Sequence, residues 1–419
     1  MIELIQIAFI NILAKLLKFS FEIGTNYFVD KETYGYFAIL LSYILIYSRI
    51  VTLGIPNVLL REFPKKNNLD YHSSLLLNST IVILAITIMT YSLIYLLDIK
   101  YLSYYKEVPI IAISTALLAI YSTYLRSQGY IKLWIFMQDI SWYVYYFIGL
   151  LFLYYMNQKI LDISLILKTY SYSIVVSLVT VILLLRFKYH LKFIFKSSFK
   201  KIKYIYTHSF PVLFTGLTYL ILARIDVIML SDYVDIELVG EYNIIARITI
   251  QVLFFHQVIT AYFYPRLAKK FASKENHETI TTYITKYMFL SFLSVLFISS
   301  ILFVFIRYFN LFDILKIINQ DELFTVFVIF ALTQIIYSGM SFYGYILLYI
   351  HKQKIEYLNN VIILVIGIIL NVILIPIYGV VGAALASAIA IIMGSLLEMF
   401  EVKYFTNTFF IKLINWKNK

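Results

Sequence analysis

Six basic side chains, Lys15, Lys18, Arg49, Lys168, Arg224 and Arg247, interrupt long apolar runs that otherwise read as membrane spans. A charge near the bilayer centre costs about 2.5–3.5 kcal/mol on insertion scales, so such residues usually face a wet interior or bind something. Six cations with few acids nearby predict a cavity for an anion. Arginine suits phosphate because its planar fork grips two oxygens, and lysine adds a point charge. The pattern therefore predicts transport of a negatively charged substrate, for which a lipid-linked diphosphate is apt.

Spacing refines the picture. Lys15, Lys18 and Glu22 follow i, i+3, i+7 and share one helix face. Arg224 could pair with Asp226, but two apart on a helix they point nearly opposite ways. Lys168 and Arg247 fall in the outer third of their runs, where a side chain can also snorkel to the interface. Lys286 sits near the inner end of its run and reads as interfacial. Glu22 and Asp226 lie in outer halves, where a carboxylate either carries a coupling proton or Na⁺ or balances a cation. Asp139, Glu398 and Glu401 fall near inner ends. His256, beside Gln257 in mid-run, reads as a buried, hydrogen-bonded histidine. The runs contain no metal-ligand cluster, nucleophile triad or phosphate loop, so neither a metal nor a cofactor is expected.

The elements that must position these residues are membrane helices. The chain has 419 residues, 62% hydrophobic and 14% charged, whereas soluble domains are about a quarter charged. This predicts an all-α polytopic membrane protein. About twelve helices are expected, over 3–25, 34–59, 74–97, 108–129, 134–156, 162–185, 208–230, 240–264, 282–306, 322–350, 356–377 and 380–402. The first run lacks a basic leader and a small-residue cleavage site, so it reads as a true span. With no cysteine, disulfides, zinc–thiolate sites and thiol nucleophiles are excluded.

The net charge of +12 would suggest nucleic acid in a soluble protein, but here it follows topology. Loops after every second helix are rich in Lys and Arg, above all 186–207 with Arg186, Lys188, Lys192, Lys196, Lys200, Lys201 and Lys203. The intervening loops hold Lys31, Lys100, Lys106, Lys159, Arg307 and Lys316. By the positive-inside rule the basic side is cytoplasmic, and both termini are inside. No nucleic-acid partner is required. The lysines of 186–207 also suit anionic headgroups of the inner leaflet.

The second half echoes the first at an offset of 205 residues. Asp30, Glu32, Gly35 and Phe37 align with Asp235, Glu237, Gly240 and Tyr242, and Arg61 and Lys65 with Arg266 and Lys270. Two parallel six-helix repeats are expected, with substrate held between them. The lobes are 1–185 and 208–419, the latter ending in a short basic tail, and 186–207 is a basic cytoplasmic linker.

Three ordered stretches then carry a resemblance. They are Tyr34-Gly35-Tyr36 with Leu53-Gly54-Ile55 and Arg61; Ser209-Phe210-Pro211 with Arg224-Ile-Asp226 and Val239-Gly240-Glu-Tyr242; and Asn371 to Pro376 with Gly379 and Gly382. Together they resemble the polysaccharide-export branch of the multidrug/oligosaccharidyl-lipid/polysaccharide (MOP) flippase superfamily, most of all the Wzx-type O-antigen flippases. The resemblance implies a twelve-helix, two-lobed, MATE-like flippase of the bacterial inner membrane with alternating access. It implies as cargo an undecaprenyl-diphosphate-linked oligosaccharide, received by a cationic lumen and moved to the outer leaflet. A polysaccharide polymerase and chain-length proteins are partners by resemblance alone. Two rivals remain. A multidrug exporter of the same superfamily would carry organic cations, which a Lys- and Arg-rich lumen disfavours. A membrane enzyme acting on the same lipid-linked glycan would need a sizeable outer loop, and the longest, 307–321, with Glu322 just beyond it, offers only Asp313, Asp321 and Glu322.

Because the chain lacks cysteine, single cysteines report topology cleanly. Lys269→Cys is expected to label with an impermeant maleimide only after the cytoplasmic side is opened, and Lys316→Cys in intact cells. The reverse pattern would invert the orientation.

Overall fold

The computed structural model describes residues 2–66, 68–99, 101–102, 105–157, 161–191, 197–273, 277–350 and 352–406. Lys100, Lys159, Lys192, Lys196, Lys274, Lys412, Lys417 and Lys419, which contribute to the topology expectation, lie outside the described residues, as does the tail from 407. The described residues form helices and turns, with no strand.

Contacts divide the chain into two compact units, Met1–Arg224 and Ile225–Lys419. The first holds α1 (Ile2–Gly24), α2 (Lys31–Thr52), α3 (Ile55–Glu62), α4 (Leu69–Leu96), α5 (Glu107–Ser127), α6 (Ile131–Asp139), α7 (Ser141–Asn157), α8 (Ile163–Phe187) and α9 (Phe199–Leu222). The second holds α10 (Ile225–Leu230), α11 (Ile236–Ile250), α12 (Phe254–Ala272), α13 (His277–Tyr308), α14 (Leu311–Ile314), α15 (Gln320–Met340), α16 (Phe342–Tyr349) and α17 (Gln353–Thr406).

In the first unit α5 is the hub. It packs on α2, α4 and α8 through Ile111, Ala112, Ala116 and Ile120, all fully buried. In the second unit α15 packs on α11, α13 and α17, and a separate cluster joins Phe263, Ile284, Phe342 and Leu347. Helix starts are set by short polar side chains that satisfy orphan amides. Asp30 accepts from Thr33 N at 2.8 Å, Asp162 from Leu165 N at 2.8 Å, and Asn68 from Asp70 N at 2.8 Å.

Among the described residues, nine helical stretches are long and apolar enough to cross a membrane, or ten with the bent α9 counted. One of these, Lys354–Thr406, has 53 residues, far more than the ~20 that one crossing takes. It divides at Gly379, whose φ of 54° and ψ of −131° are non-helical, as the expected boundary between 377 and 380 requires. Together with α1, each of the twelve expected spans has a helical counterpart. The expected offset holds where it was read, since α2 begins at Lys31 and α11 at Ile236.

Several boundaries differ from expectation. The second span is broken at Leu53–Gly54, both in left-handed backbone. The fifth breaks at Ile140 and the tenth at Ser341, and the eighth passes through a 3₁₀ turn at Gln251–Leu253. The seventh starts at Phe199 rather than 208, so 199–207 of the expected linker is helix. Tertiary bonds hold that stem: Ser198 N donates to Asn78 Oδ1 at 2.9 Å, Lys201 Nζ to Ser74 Oγ at 2.9 Å, and Tyr204 to Glu62 Oε1 at 2.6 Å. Pro211 and Pro265 lie inside α9 and α12. A proline inside a helix removes one backbone bond, and α9 bends by 42° between Leu213 and Gly216.

A side chain at Gly379 would be strained by about 1–3 kcal/mol in that backbone region. Gly379→Ala should lower the thermal midpoint of the detergent-solubilised protein, whereas Gly24→Ala, where a Cβ would meet only an ordinary contact at 3.7 Å, should not. Equal midpoints would remove the kink as a constraint.

Candidate functional site in the membrane-embedded charges

Along α1, Asn11, Lys15, Lys18 and Glu22 follow i, i+4, i+7, i+11 and form one polar stripe. The neighbouring face carries Ile7, Ile10, Ala14 and Leu17, which pack on Trp134, Ile135 and Ile140. That packing fixes the rotation of α1 and leaves Lys15 and Lys18 exposed. Lys18 lies within electrostatic range of Asp139 at the end of α6.

The stripe ends in a buried ion pair. Arg224 follows α9 and is 3% exposed, and Glu22 is 5% exposed. One guanidinium nitrogen, Nη2, donates to both Glu22 carboxylate oxygens at 3.0 Å each. Tyr34 donates its hydroxyl to the Glu22 carbonyl at 2.7 Å, and Tyr143 and Tyr170 lie within electrostatic range of both charges. Next in the chain, Phe21 makes edge contacts with Phe37, Trp142 and Tyr146 at 5.6, 5.1 and 4.8 Å. An aromatic wall thus excludes water from one side of the pair, which strengthens its attraction and makes loss of either partner costly.

Arg49, in the last turn of α2, is half-buried. Its guanidinium lies on the backbone of α9 at Gly216, where any Cβ would overlap Nη2. A side chain at 216 would push the Arg49 head from its present place.

The second unit holds its own buried polar set. Asp226 accepts the Tyr242 hydroxyl at 2.7 Å and its own neighbour Val227 N at 2.8 Å. Arg247 Nε donates to Asn243 Oδ1 at 3.2 Å. Glu241 accepts from Ile318 N at 2.9 Å and from Asn319 N and Nδ2 at 3.2 Å each, so it ties α11 to the start of α15. Glu241 and Asn243 were not singled out from sequence. Three consecutive polar side chains at 241–243 inside an apolar run were the available signal.

The sequence-selected cations therefore fall into different environments. Lys15 and Lys18 share a stripe that runs to the Glu22–Arg224 pair. Arg247 belongs to the Asn243 network. Lys168 lies apart, in a cavity of about 340 Å³ between α7 and α8. His256 is buried, with Nδ1 2.5 Å from Ser291 Oγ and Nε2 3.3 Å from Ser341 Oγ. Asn359 Nδ2 donates to Glu401 at 2.5 Å, Glu398 lies against Gly344, and Lys286 is exposed.

The fold, with its long apolar helices and embedded charges, defines a multi-pass membrane protein. The chain belongs to the polysaccharide biosynthesis protein family, whose model matches residues 3–271. The fold is similar to that of lipid II flippase MurJ in an inward closed conformation, with a TM-score of 0.73 at 17% identity, covering 95% of this chain and 87% of that one. It is similar to an inward-facing MATE-family multidrug resistance transporter, with a TM-score of 0.71 at 14% identity, covering 94% and 96%. A MOP superfamily transporter from Pyrococcus furiosus, described as having a binding pocket of reverse polarity, aligns at 0.59 and 13% identity, covering 96% and 94%. No curated protein matches the sequence.

Removing one partner of a buried pair costs about 3–5 kcal/mol. Glu22→Gln and Arg224→Met should each destabilise strongly, and the double variant by much less than their sum. Additive losses in a thermal double-mutant cycle would show that the two charges are not coupled.

Proposed function

We propose that this chain is a flippase that carries a lipid-diphosphate-linked oligosaccharide from the inner to the outer leaflet of a bacterial inner membrane. The cargo is an undecaprenyl-diphosphate-linked repeat unit of O-antigen type, moved by alternating access, and the chain performs no covalent chemistry on it. Family membership supports the polysaccharide context. The observation that carries the anionic cargo is the α1 stripe, which presents Lys15 and Lys18 without burying them. A diphosphate offers several anionic oxygens to such groups, and arginine adds bidentate contacts. Lys15, Lys18 and Arg49 receive the headgroup on this reading. Arg224 and Arg247, already engaged by Glu22 and Asn243, shape the field around it.

In the same reading Glu22 balances Arg224, and its carboxylate becomes available to a proton or Na⁺ only when that pair opens. Asp226 is held by Tyr242 and is the second acid at which coupling could enter. Both termini face the cytoplasm, and a polymerase and chain-length proteins act on the cargo after it crosses.

Leaflet accessibility of the lipid-linked oligosaccharide in cells tests this. A Lys15→Ala/Lys18→Ala/Arg49→Ala chain, at matched expression, should lower outer-leaflet cargo at least about tenfold, as loss of roughly 1.4 kcal/mol of headgroup attraction would, with accumulation inside. Normal translocation would remove these residues from the site. Normal outer-leaflet cargo in cells lacking the protein altogether, with polymerised glycan lost, would move the assignment to a polymerase.

A further inference from the structure

The cavity at Lys168 has a composition that the transport path does not explain. It lies between α7 and α8, and its lining is apolar except for Thr169, Ser173, two tyrosine hydroxyls and one ammonium group. The lining contains a single cation and no acid. Its outer wall is formed by Phe152, Tyr172 and Val176, which are 63%, 67% and 46% exposed, so it opens sideways from the helix pair. Its floor is fixed where α7 meets α8: a Cβ at Gly149 would sit 2.8 Å from Thr169 Cγ2, and glycine lets the two helices touch.

The position along the helix matters. Lys168 is five residues past the start of α8 at Ile163, so it lies about 7.5 Å along the axis, within snorkelling reach of an interface. From Lys168 to Val176 the groove runs eight residues, about 12 Å. That is close to the half-thickness of a ~30 Å hydrocarbon core. A snorkelling lysine at the shallow end of an apolar slot that continues about 12 Å towards the bilayer centre matches the layout of a lipid with an anionic head and a hydrocarbon tail.

We propose that the α7–α8 groove is a binding site for an anionic membrane phospholipid, whose phosphate pairs with Lys168 while one acyl chain lies along Phe152, Tyr172 and Val176. The lipid neutralises an ammonium that would otherwise sit against hydrocarbon. Tyr145 and Tyr172 line the same groove. This site is separate from the cargo's headgroup path and does not depend on the flippase assignment.

The test is retention of lipid by the purified, full-length protein, read by native mass spectrometry after incubation with phosphatidylglycerol or phosphatidylcholine of the same chains. Wild type should retain the anionic lipid about fivefold better, as expected for one interfacial lysine. Lys168→Gln should abolish the preference, Lys168→Arg should keep it, and Val176→Trp, which fills the slot from its exposed side, should reduce retention of both lipids. Equal retention by wild type, or an unchanged preference in Lys168→Gln, would overturn the proposal. Displacement of the phospholipid by an equimolar polyprenyl phosphate, dependent on Lys168, would also overturn it and assign the groove to the cargo's tail.

Discussion

A charge held among apolar helices must be either paired or wetted, and the embedded ions of this chain differ in how deeply they are buried. Arg224 is paired with Glu22 and walled by aromatic rings. Lys15 and Lys18 stand exposed on a stripe whose rotation is set by the packing of Ile7, Ile10, Ala14 and Leu17. The rest of the first unit follows from keeping both conditions at once. One face of α1 must stay dry to anchor it on α6, and the adjacent face must stay open. Replacing the pair by apolar residues would satisfy the helices equally well.

Both units build their polar interior from the same parts. Each has an acid followed by a tyrosine that bonds back to it, 12 residues on from Glu22 and 16 on from Asp226. Tyr34 reaches the main-chain carbonyl of Glu22, and Tyr242 reaches the side chain of Asp226. The difference is chemical: the Glu22 carboxylate is left for Arg224, while the Asp226 carboxylate is held by a neutral hydroxyl. A repeated framework thus carries two acids with unlike partners.

Much of this was legible in the sequence because membrane helices must satisfy their own backbone bonds and so announce themselves as long apolar runs. The number of spans, the break near Gly379 and the matching starts of α2 and α11 all follow from spacing. The partner of Arg224 did not follow, since Glu22 lies 202 positions away and only packing brings them together. The break at Ile140 carries no glycine or proline to mark it. The early start of α9 was hidden by its lysines, which read as loop until Ser74, Asn78 and Glu62 appear as their neighbours' partners. Glu241 read as part of a motif, and its use as an anchor for Ile318 and Asn319 is a tertiary fact.

The central claim is that this polysaccharide biosynthesis protein moves its cargo by recognising anionic charge at the headgroup. It is tested most directly with purified protein in liposomes and two fluorescent lipids that share one prenyl chain and one glycan. One lipid carries a diphosphate linkage and the other a neutral linkage, and appearance at the opposite leaflet is read by access to an impermeant quencher. The account predicts protein-dependent movement of the diphosphate lipid and none of the neutral one. Equal movement of both, or movement of neither alongside transport of an organic cation, would contradict it.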